Sequence, residues 1–280
     1  MDFPVETRAM DRRELQEVLS WAAEEGWNPG VFDSKPFHAA DPGGFFLTSM
    51  DGKPAAAVSV VNHDRENAFL GLYICRPEWR GKGLGLSTWK FGIAHAGSRS
   101  IGLDGVPEQE SNYEASGFVK TGSSLRHEGR FEKRQSHNMR AARPGDIEVL
   151  IARDGRANGF MRPLFMRAWL SERLATQETR VLLRDGAICG FATWRACGTG
   201  TKIGPIVAPD LSATIEMISD IASLRSEGSL IVDVPESSID LRRELEQAGF
   251  TIPFVTARMY RGKSPQGDGT LQAIATMELG

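Results

Sequence analysis

A glycine-rich segment with two basic residues is the part of the sequence whose residue types most clearly indicate chemistry. Arg80 to Gly85 reads RGKGLG; it follows an apolar stretch that ends near Cys75 and precedes a helical pattern that ends near Ala96. Glycine adopts backbone angles that other residues avoid and lets an anion approach the amides. Unpaired amides at a helix N-terminus attract phosphate, and Arg80 and Lys82 add positive charge. The segment predicts a phosphate-binding loop, with a glycine-rich turn that binds nothing as the alternative.

Two other kinds of phosphate loop do not fit this segment. The P-loop needs Gly, four residues, and then Gly-Lys followed by Ser or Thr, and the sequence has no such run. The dinucleotide fingerprint spaces its glycines as GxGxxG after the first strand of a βαβ unit. Gly81, Gly83 and Gly85 are more closely spaced, and a predicted β-hairpin precedes the strand. The loop therefore belongs to a different class.

The segment resembles the pyrophosphate motif of the GNAT superfamily, the acyl-CoA-dependent N-acetyltransferases. That motif is Gln or Arg, two residues, Gly, one residue, and then Gly or Ala, and Arg80, Gly83 and Gly85 fill it. The family also has a tyrosine four positions before a helix-ending Gly-Phe pair, and Tyr113 stands there in YEASGF. The resemblance covers most of residues 3–131, and the whole chain is similar to a bacterial tandem-GNAT subgroup.

The resemblance implies acetyl-CoA as co-substrate and assigns roles to individual residues. The positions implied to bind it are Tyr73, Ile74, Cys75, Arg80, Gly81, Lys82, Gly83, Leu84 and Gly85. The Ile74 backbone amide would polarise the thioester carbonyl, and Tyr113 would protonate the departing thiolate. The alternative for Tyr113 is packing on its helix with the hydroxyl in solvent. Val106 stands where many relatives have asparagine, a departure that affects the usual helix contact to coenzyme A but not the loop.

The acceptor amine and the proton-accepting base are less closely specified. In the family the acceptor binds in a variable loop, which corresponds to the EEGWNPG region. The acceptor-site candidates are Glu25, Trp27, Asn28 and Asp33. The carboxylates available as a base are Asp33, Glu24, Glu25 and Glu66, with a water relay as the alternative. Trp27 fits a core position equally well, and most surface carboxylates are only solvated.

The same order of features occurs twice along the chain. Asp51 and Asp185 each begin an Asp-Gly pair between two apolar stretches, as in a β-hairpin. Each hairpin is followed by a strand-like run, a helical segment, another strand and a helix that ends at Gly117 or Gly249, so matching positions lie about 130 residues apart. The sequence predicts an α/β (α+β) fold of tandem GNAT-like domains, each a mixed, mostly antiparallel sheet flanked by helices.

The two halves are expected to differ in chemistry. The predicted boundaries are 1–135 for an N-terminal catalytic GNAT domain, 136–143 for a linker and 144–280 for a degenerate C-terminal GNAT-like domain. The second half has no glycine-rich loop after its matching strand, GPIVA, and Leu245 stands where the first half has Tyr113. We therefore expect the second half to bind no coenzyme A, and to complete the acceptor pocket or stabilise the first domain.

Composition and charge limit the class of protein. The 280 residues are 41% hydrophobic and 25% charged, as in soluble globular proteins. The net charge of −3 provides no global basic field for nucleic acid. The histidines lack metal-ligand spacing, and the three cysteines form no metal or redox pair. With neither a signal peptide nor an apolar span, the sequence predicts a cytoplasmic protein with no metal and no nucleic-acid or membrane partner.

These features predict an acetyl-CoA-dependent N-acetyltransferase. It would move an acetyl group to a primary amine of a small molecule or peptide by direct attack in a ternary complex. The competing interpretation is a non-catalytic module that binds acyl-CoA or a metabolite as a sensor. The intact loop and Tyr113 favour catalysis. A serine hydrolase is excluded because the sequence contains no GxSxG motif.

Overall fold

The first half of the chain forms an antiparallel meander followed by two strand–helix pairs. In the computed structural model, which describes residues 4–171, 175–225 and 228–280, its strands are β1 (Val5–Ala9), β2 (Phe45–Met50), β3 (Lys53–Asn62), β4 (Asn67–Cys75), β5 (Ser100–Gly105) and β6 (Val119–Gly129). Its helices are α1 (Arg12–Glu24), α2 (Ser34–Ala40), α3 (Leu84–His95) and α4 (Glu110–Ala115). Asp51 and Gly52 connect β2 and β3 with positive φ angles, which is the predicted hairpin turn.

The second half repeats this order and adds a short strand at its end. Its strands are β7 (Met139–Ala141), β8 (Gln177–Arg184), β9 (Ala187–Ala196), β10 (Thr201–Val207), β11 (Leu230–Pro235), β12 (Thr251–Arg261) and β13 (Leu271–Ala273). Its helices are α5 (Ile147–Asn158), α6 (Pro163–Ser171), α7 (Leu211–Leu224) and α8 (Ile239–Gln247). β7 lies inside 136–143, the segment predicted as a linker, and pairs with β8. That segment is therefore part of the sheet, and the domain boundaries remain a prediction.

The described strands form one mixed sheet that runs through both halves. Its order is β1-β2-β3-β4-β5-β12-β6-β11-β10-β9-β8-β7, with β13 paired to β10 outside this path. β4 with β5 and β10 with β11 are parallel pairs, and the other pairs are antiparallel. The predicted mixed, mostly antiparallel sheet flanked by helices is confirmed. Because β12 lies between β5 and β6, each half places its last long strand among the strands of the other.

Helix α1 illustrates how the sequence produces these elements. Asp11 caps its N-terminus by accepting from the amides of Arg13 and Glu14, and the Glu14 side chain accepts from the Asp11 amide. Its buried residues recur at helical spacing: Leu15, Val18, Leu19 and Ala22. Each buried leucine or valine contributes about 1.5–3 kcal/mol, so Leu15→Ala would cost about 2–5 kcal/mol with the cavity included.

The helices cover both faces of the sheet. α1, α2, α5 and α6 share one apolar core on one face, which includes Phe37, Phe165 and Trp169 and joins the two halves. On the opposite face, α3 and α4 cover the first half around Trp89, and α7 and α8 cover the second half. Among the residues that the structure describes, no helix is long and apolar enough to cross a membrane.

Candidate active site

Strands β4 and β5 are paired at one end and separate at the other. Their parallel pairing covers Asn67–Leu70 of β4 and Ser100–Leu103 of β5. Beyond it, β4 has a bulge at Leu72, where φ is 46° and the register against β3 shifts. A positive φ is uncommon for leucine and redirects the strand. We call the opening between residues 71–75 of β4 and the diverging β5 the first gap.

The predicted phosphate loop lies beside the first gap. A short 3₁₀ turn after β4 leads into it, and α3 begins at Leu84. Gly81 and Gly83 have φ angles of 77° and 79°, which favour glycine. A Cβ atom on either would meet nothing within 4 Å, so this side of the loop is open. Gly83 caps α3 without a side-chain hydrogen bond, which leaves the first amides of the helix available to an anion.

The two basic residues of the loop have contacts of their own. The Arg80 Nε atom donates to the Cys75 carbonyl at 2.8 Å, and the guanidinium bonds the Glu25 carboxylate at 2.5 Å. The Lys82 ammonium lies 4.5 Å from the centre of the Trp79 ring. The structure therefore places Glu25, predicted for the acceptor site, at the edge of the phosphate loop.

Along β4, the backbone amide and carbonyl of successive residues point alternately towards β3 and towards the side of β5. The Arg76 amide donates to the Ala55 carbonyl of β3 at 2.9 Å. In an antiparallel pair, the backbone groups two residues before Arg76 then also point towards β3. Ile74 shares that direction, so its amide faces β3. The backbone groups of Tyr73 and Cys75 face the first gap instead. An amide that faces β3 is turned away from the first gap, which does not suit the role predicted for Ile74.

Tyr113 lies on α4 with its ring against the sheet. The ring stacks on Trp89 with centroids 5.5 Å apart, and it covers Gly105, where a Cβ atom would overlap it. Burial raises the pKa of the Tyr113 hydroxyl above its ordinary value, with Tyr73 adding a smaller effect. The hydroxyl therefore stays protonated across neutral pH. Its predicted role as an acid remains a prediction.

A cavity of about 70 Å³ lies in the first gap and is built by both halves. Its lining residues are Trp27, Leu70, Gly71, Leu72, Tyr73, Leu103, Asp104, Gly105, Val106, Gln109, Tyr113, Arg126, Phe254, Thr256, Met277 and Glu278. Most of these side chains are apolar. Phe254 and Thr256 come from β12, and Met277 and Glu278 come from the segment after β13, so the second half forms one wall of the cavity.

The three other residues predicted for the acceptor site separate into two groups. Trp27 lines the cavity. The Asn28 side chain instead bonds the backbone of Thr199, donating at 2.9 Å and accepting at 3.1 Å. Asp33 is buried and forms an ion pair with Arg195 at 3.2 Å. Asn28 and Asp33 therefore connect the first half to the second, and neither lines the cavity.

The carboxylates predicted as bases lie away from the cavity, but another carboxylate lines it. Glu24 is exposed at the end of α1, and Glu66 is exposed in the turn between β3 and β4. Glu278 is 3% exposed and lines the cavity. Glu278 is not among the predicted bases, because its signal in the sequence is one acidic residue within the apolar run IATMEL. In the described parts of the chain, no group of three or more His, Cys, Asp or Glu side chains is placed to hold a metal ion.

The second half has a corresponding opening, which we call the second gap. β10 and β11 pair only at Thr201–Lys202 with Leu230–Ile231. Beyond that point β13 pairs antiparallel with β10, and the Ile274 amide donates to the Asp233 carbonyl of β11 at 3.0 Å. The chain's own backbone therefore fills the second gap.

The helix after the second gap also differs from α3. Asp210 caps α7, and its carboxylate accepts from the Ala213 amide at 2.8 Å. A fixed negative charge at this position opposes the binding of phosphate. Leu245, the counterpart of Tyr113, is fully buried in the apolar core under α8.

Comparison with known proteins finds relatives of both halves. Residues 12–121 match the model of the acetyltransferase (GNAT) family, and residues 150–272 match that of an acetyltransferase (GNAT) domain. Holothin acyltransferase of Pseudoalteromonas sp. is 32% identical over 277 residues, which cover 95% of this chain and 92% of that protein. A Bacillus subtilis protein described as the uncharacterized N-acetyltransferase YitH is 23% identical over 290 positions, which cover 100% of this chain and 100% of that protein.

Solved structures share the fold over nearly the whole chain. A Pyrococcus horikoshii protein described as an acetyltransferase matches with a TM-score of 0.80 at 16% identity, covering 99% of this chain and 96% of that one. A tandem GNAT protein from the clavulanic acid biosynthesis pathway matches with a TM-score of 0.60 at 11% identity, covering 95% of this chain and all of that one. These matches confirm the tandem arrangement.

Proposed function

Because the chain belongs to the GNAT family of acyltransferases, with two GNAT-fold halves in tandem, we propose that its first half is an acetyl-CoA-dependent N-acetyltransferase. The acceptor would be a primary amine of a small molecule or peptide. The observation that carries the proposal is the position of Tyr73. Its ring lies against the phosphate loop at Gly85, and it lines the same cavity as the buried Tyr113. Loop, strand and acid thus adjoin one site.

The residues around the first gap fit the parts of acetyl-CoA, the kind of co-substrate that GNAT proteins use. The open side of Gly81 and Gly83 suits a pyrophosphate, and Arg80 supplies positive charge. The backbone of Tyr73 and Cys75, which β5 does not pair, suits an extended pantetheine arm. In the second half, β13 and Asp210 stand at the corresponding places, so the proposal covers the first half alone.

Each group in the cavity can be given a role in the transfer of the acetyl group. The amine nitrogen attacks the thioester carbonyl carbon; a C–N bond forms and the C–S bond breaks. The Tyr73 amide would donate to the carbonyl oxygen as negative charge develops there. Tyr113, which burial keeps protonated, would give its proton to the departing thiolate. The proton lost by the amine passes to a base or to water.

The cavity favours a small or slender acceptor. It holds about 70 Å³, and Trp27, Phe254 and Met277 give it apolar walls. Arg126, the basic residue in the lining, is already paired with Asp233 at 2.8 Å. A neutral amine on an apolar body, or the end of one lysine side chain, suits these walls better than a strongly charged molecule.

Thiol release from acetyl-CoA in the presence of amines tests the proposal. The full chain would be incubated with acetyl-CoA and, in turn, p-anisidine, benzylamine, tryptamine, a lysine peptide and holothin, which is included because one relative is named for it. An acetylated product identified by mass spectrometry supports the proposal. Saturable acetyl-CoA binding without product from any amine favours the sensor module. Absence of acetyl-CoA binding contradicts the acetyltransferase and an acetyl-CoA sensor alike, and leaves the metabolite sensor as the interpretation.

A further inference from the structure

The segment 274–280 passes from the second gap to the first. At its start, the Ile274 carbonyl packs against Gly204 of β10, where a Cβ atom would overlap it. Further along, the Glu278 carbonyl packs against Gly71 of β4 in the same way. All seven residues are buried. The segment therefore brings side chains of the second half to the bulge of β4.

Two hydrogen bonds fix the end of this segment. The His63 Nε2 atom donates to the Leu279 carbonyl at 2.8 Å, and the Arg162 guanidinium donates to the Gly280 carbonyl. Arg162 is buried and is itself held by two bonds to the Asp154 carboxylate, each 2.8 Å long. Glu278 is thus held by a rigid backbone rather than by a loose loop.

The Glu278 side chain ends in a buried carboxylate. It lines the cavity of the first gap together with Tyr73 and Tyr113. Among the residues that the structure describes, its Oε2 atom has no hydrogen-bond partner. An unpaired buried carboxylate oxygen is costly, and such groups persist where a ligand completes them. The cavity is the place from which that ligand would come.

The other charged groups of the cavity lining are already satisfied. The Asp104 carboxylate accepts from Arg258 at 2.9 and 2.6 Å, and from the Ser124 hydroxyl at 2.9 Å. Arg126 bonds the Asp233 carboxylate at 2.8 and 3.2 Å. These pairs hold β5, β12, β6 and β11 together. Glu278 is left as the carboxylate in the lining with an oxygen available to an incoming amine.

Charges of both signs face Glu278 from the surrounding elements. The charged groups that act on its carboxyl are Lys202 on β10, Arg126 on β6, Arg195 on β9 and Asp33 before α2. Burial is the largest effect and raises the pKa of the Glu278 carboxyl above its ordinary value, Asp33 adds to this, and the three cations oppose it. A carboxylate is a more effective proton acceptor when its pKa is raised towards the working pH.

We propose that Glu278 is the general base of the first-half site, so that the second half supplies a catalytic residue. This inference rests on the proposed acetyltransferase function. As the C–N bond forms and the C–S bond breaks, the amine proton passes to the Glu278 carboxylate, and Tyr113 gives its proton to the thiolate. Solvent then takes the proton from Glu278 and returns one to the Tyr113 phenolate, so the net result is one proton moved from amine to thiol, with no oxidation or reduction.

The test compares Glu278→Gln with wild type in the full chain. p-Anisidine serves as acceptor because this aromatic amine is neutral near pH 7, where alkyl amines are protonated. The value of kcat is taken at saturating amine at each pH, so that protonation of the free amine does not enter the profile. We expect kcat to fall about 10²-fold or more in the variant, since a general base contributes about 10²–10⁴-fold. Acetyl-CoA affinity should stay within twofold. Glu17→Gln, the same change at an exposed carboxylate on α1, should leave kcat unchanged.

The pH profile separates catalysis from a structural role. Wild-type kcat should rise with pH and level off above the ordinary range of glutamate, and Glu278→Gln should lose this rise. Glu278→Asp keeps the carboxylate and should retain the rise at a lower kcat, which also covers the case in which Gln disturbs folding. Turnover of Glu278→Gln within threefold of wild type, with the profile unchanged, would overturn the base while leaving acetyl transfer intact. If wild type acetylates no amine, the proposed function fails, and Glu278's role with it.

Discussion

The two halves open the sheet at the same place but do different things with the opening. In the first half, β4 and β5 separate beyond Leu70 and leave a cavity. In the second half, β10 and β11 separate beyond Lys202, and β13 occupies the space with hydrogen bonds to β10. The second half has thus filled with its own backbone the space that, in the first half, suits an extended cofactor arm.

The helices that follow the two gaps also differ, and the features that suit a ligand are again those of the first half. Gly83, the N-cap of α3, has no side chain to bond the first amides of that helix, whereas the Asp210 carboxylate caps α7. Tyr113 lines a cavity, whereas Leu245 is buried in an apolar core. The comparison shows that the sheet and helices persist through their apolar patterns, while ligand binding depends on a few local residues. A half that has lost those residues still contributes a wall and a carboxylate.

Replacing Gly83 by valine should have the largest effect. Valine at a φ of 79° is strained, and its branched side chain would occupy the open side of the loop. We expect no measurable acetyl-CoA binding by calorimetry. Gly186→Val is the matched control, because Gly186 has a φ of 76° and equal open space in a hairpin turn of the second half. Unchanged acetyl-CoA affinity in a folded Gly83→Val protein would show that this loop does not bind acetyl-CoA.

Replacing Tyr113 by phenylalanine should lower turnover with little change in acetyl-CoA affinity. The change removes one hydroxyl and keeps the ring packed on Trp89 and Gly105. We expect kcat to fall about 10²-fold, the lower end for a general acid, because water replaces part of the function. Tyr260→Phe, on β12 outside the cavity lining, should leave kcat unchanged. A loss of less than twofold for Tyr113→Phe would assign thiolate protonation to another group.

The burial of His63, whose ring bonds segment 274–280, should make stability depend on pH. Burial, with the Arg162 charge second, lowers the pKa of His63 from 6.5 to about 4. As the pH falls, the unfolded chain therefore binds a proton before the folded one does. Stability from this group is complete above pH 6.5, falls between 6.5 and 4, and is level below. The loss amounts to about 3 kcal/mol at 1.36 kcal/mol for each pKa unit.

Denaturant unfolding of wild type and His63→Gln at pH 7 and pH 4 measures this contribution. Gln keeps a donor for the Leu279 carbonyl but does not titrate. The stability difference between the two pH values should be smaller in the variant by about 3 kcal/mol. Because the other titrating groups are common to both proteins, equal pH dependence in the two would show that His63 is not the buried neutral group described.

Replacing Asp210 by alanine should have the smallest effect. Loss of an N-cap carboxylate costs about 1 kcal/mol, which denaturant unfolding would detect. The variant should gain no acetyl-CoA site, because β13 still fills the second gap. A second acetyl-CoA bound per chain would show instead that the Asp210 charge alone had prevented acetyl-CoA from binding to the second half.

The features with local sequence signals were predictable. The glycines of the phosphate loop, the Asp-Gly hairpin turns and the helix-ending glycines at 117 and 249 act within a few residues, and the structure has a positive φ at each of these turns and helix ends. The order of those signals indicated the tandem, which the relatives confirm. The spacing of a few residues was enough to predict these turns and helix ends, because each depends only on the local backbone conformation.

The features that depend on distant pairing were not predictable. The exchange of β6 and β12 depends on which edges meet in the folded sheet, and no local pattern encodes it. The role predicted for the Ile74 amide depends on whether that amide faces β3 or the first gap, and the sequence does not show how β4 pairs. Glu278 reaches the cavity only because segment 274–280 crosses both gaps, about 165 residues beyond Tyr113 in the chain. Asn28 and Asp33 proved to be contacts between the halves for the same reason.

The stoichiometry of acetyl-CoA binding tests the central claim, that one gap is open and the other filled. The measurement needs the full chain, because the exchange of β6 and β12 leaves neither half with its own set of strands. Isothermal titration with acetyl-CoA should give one site per chain, and Gly83→Val should abolish it. Two sites per chain, or one site that survives Gly83→Val, would contradict the account.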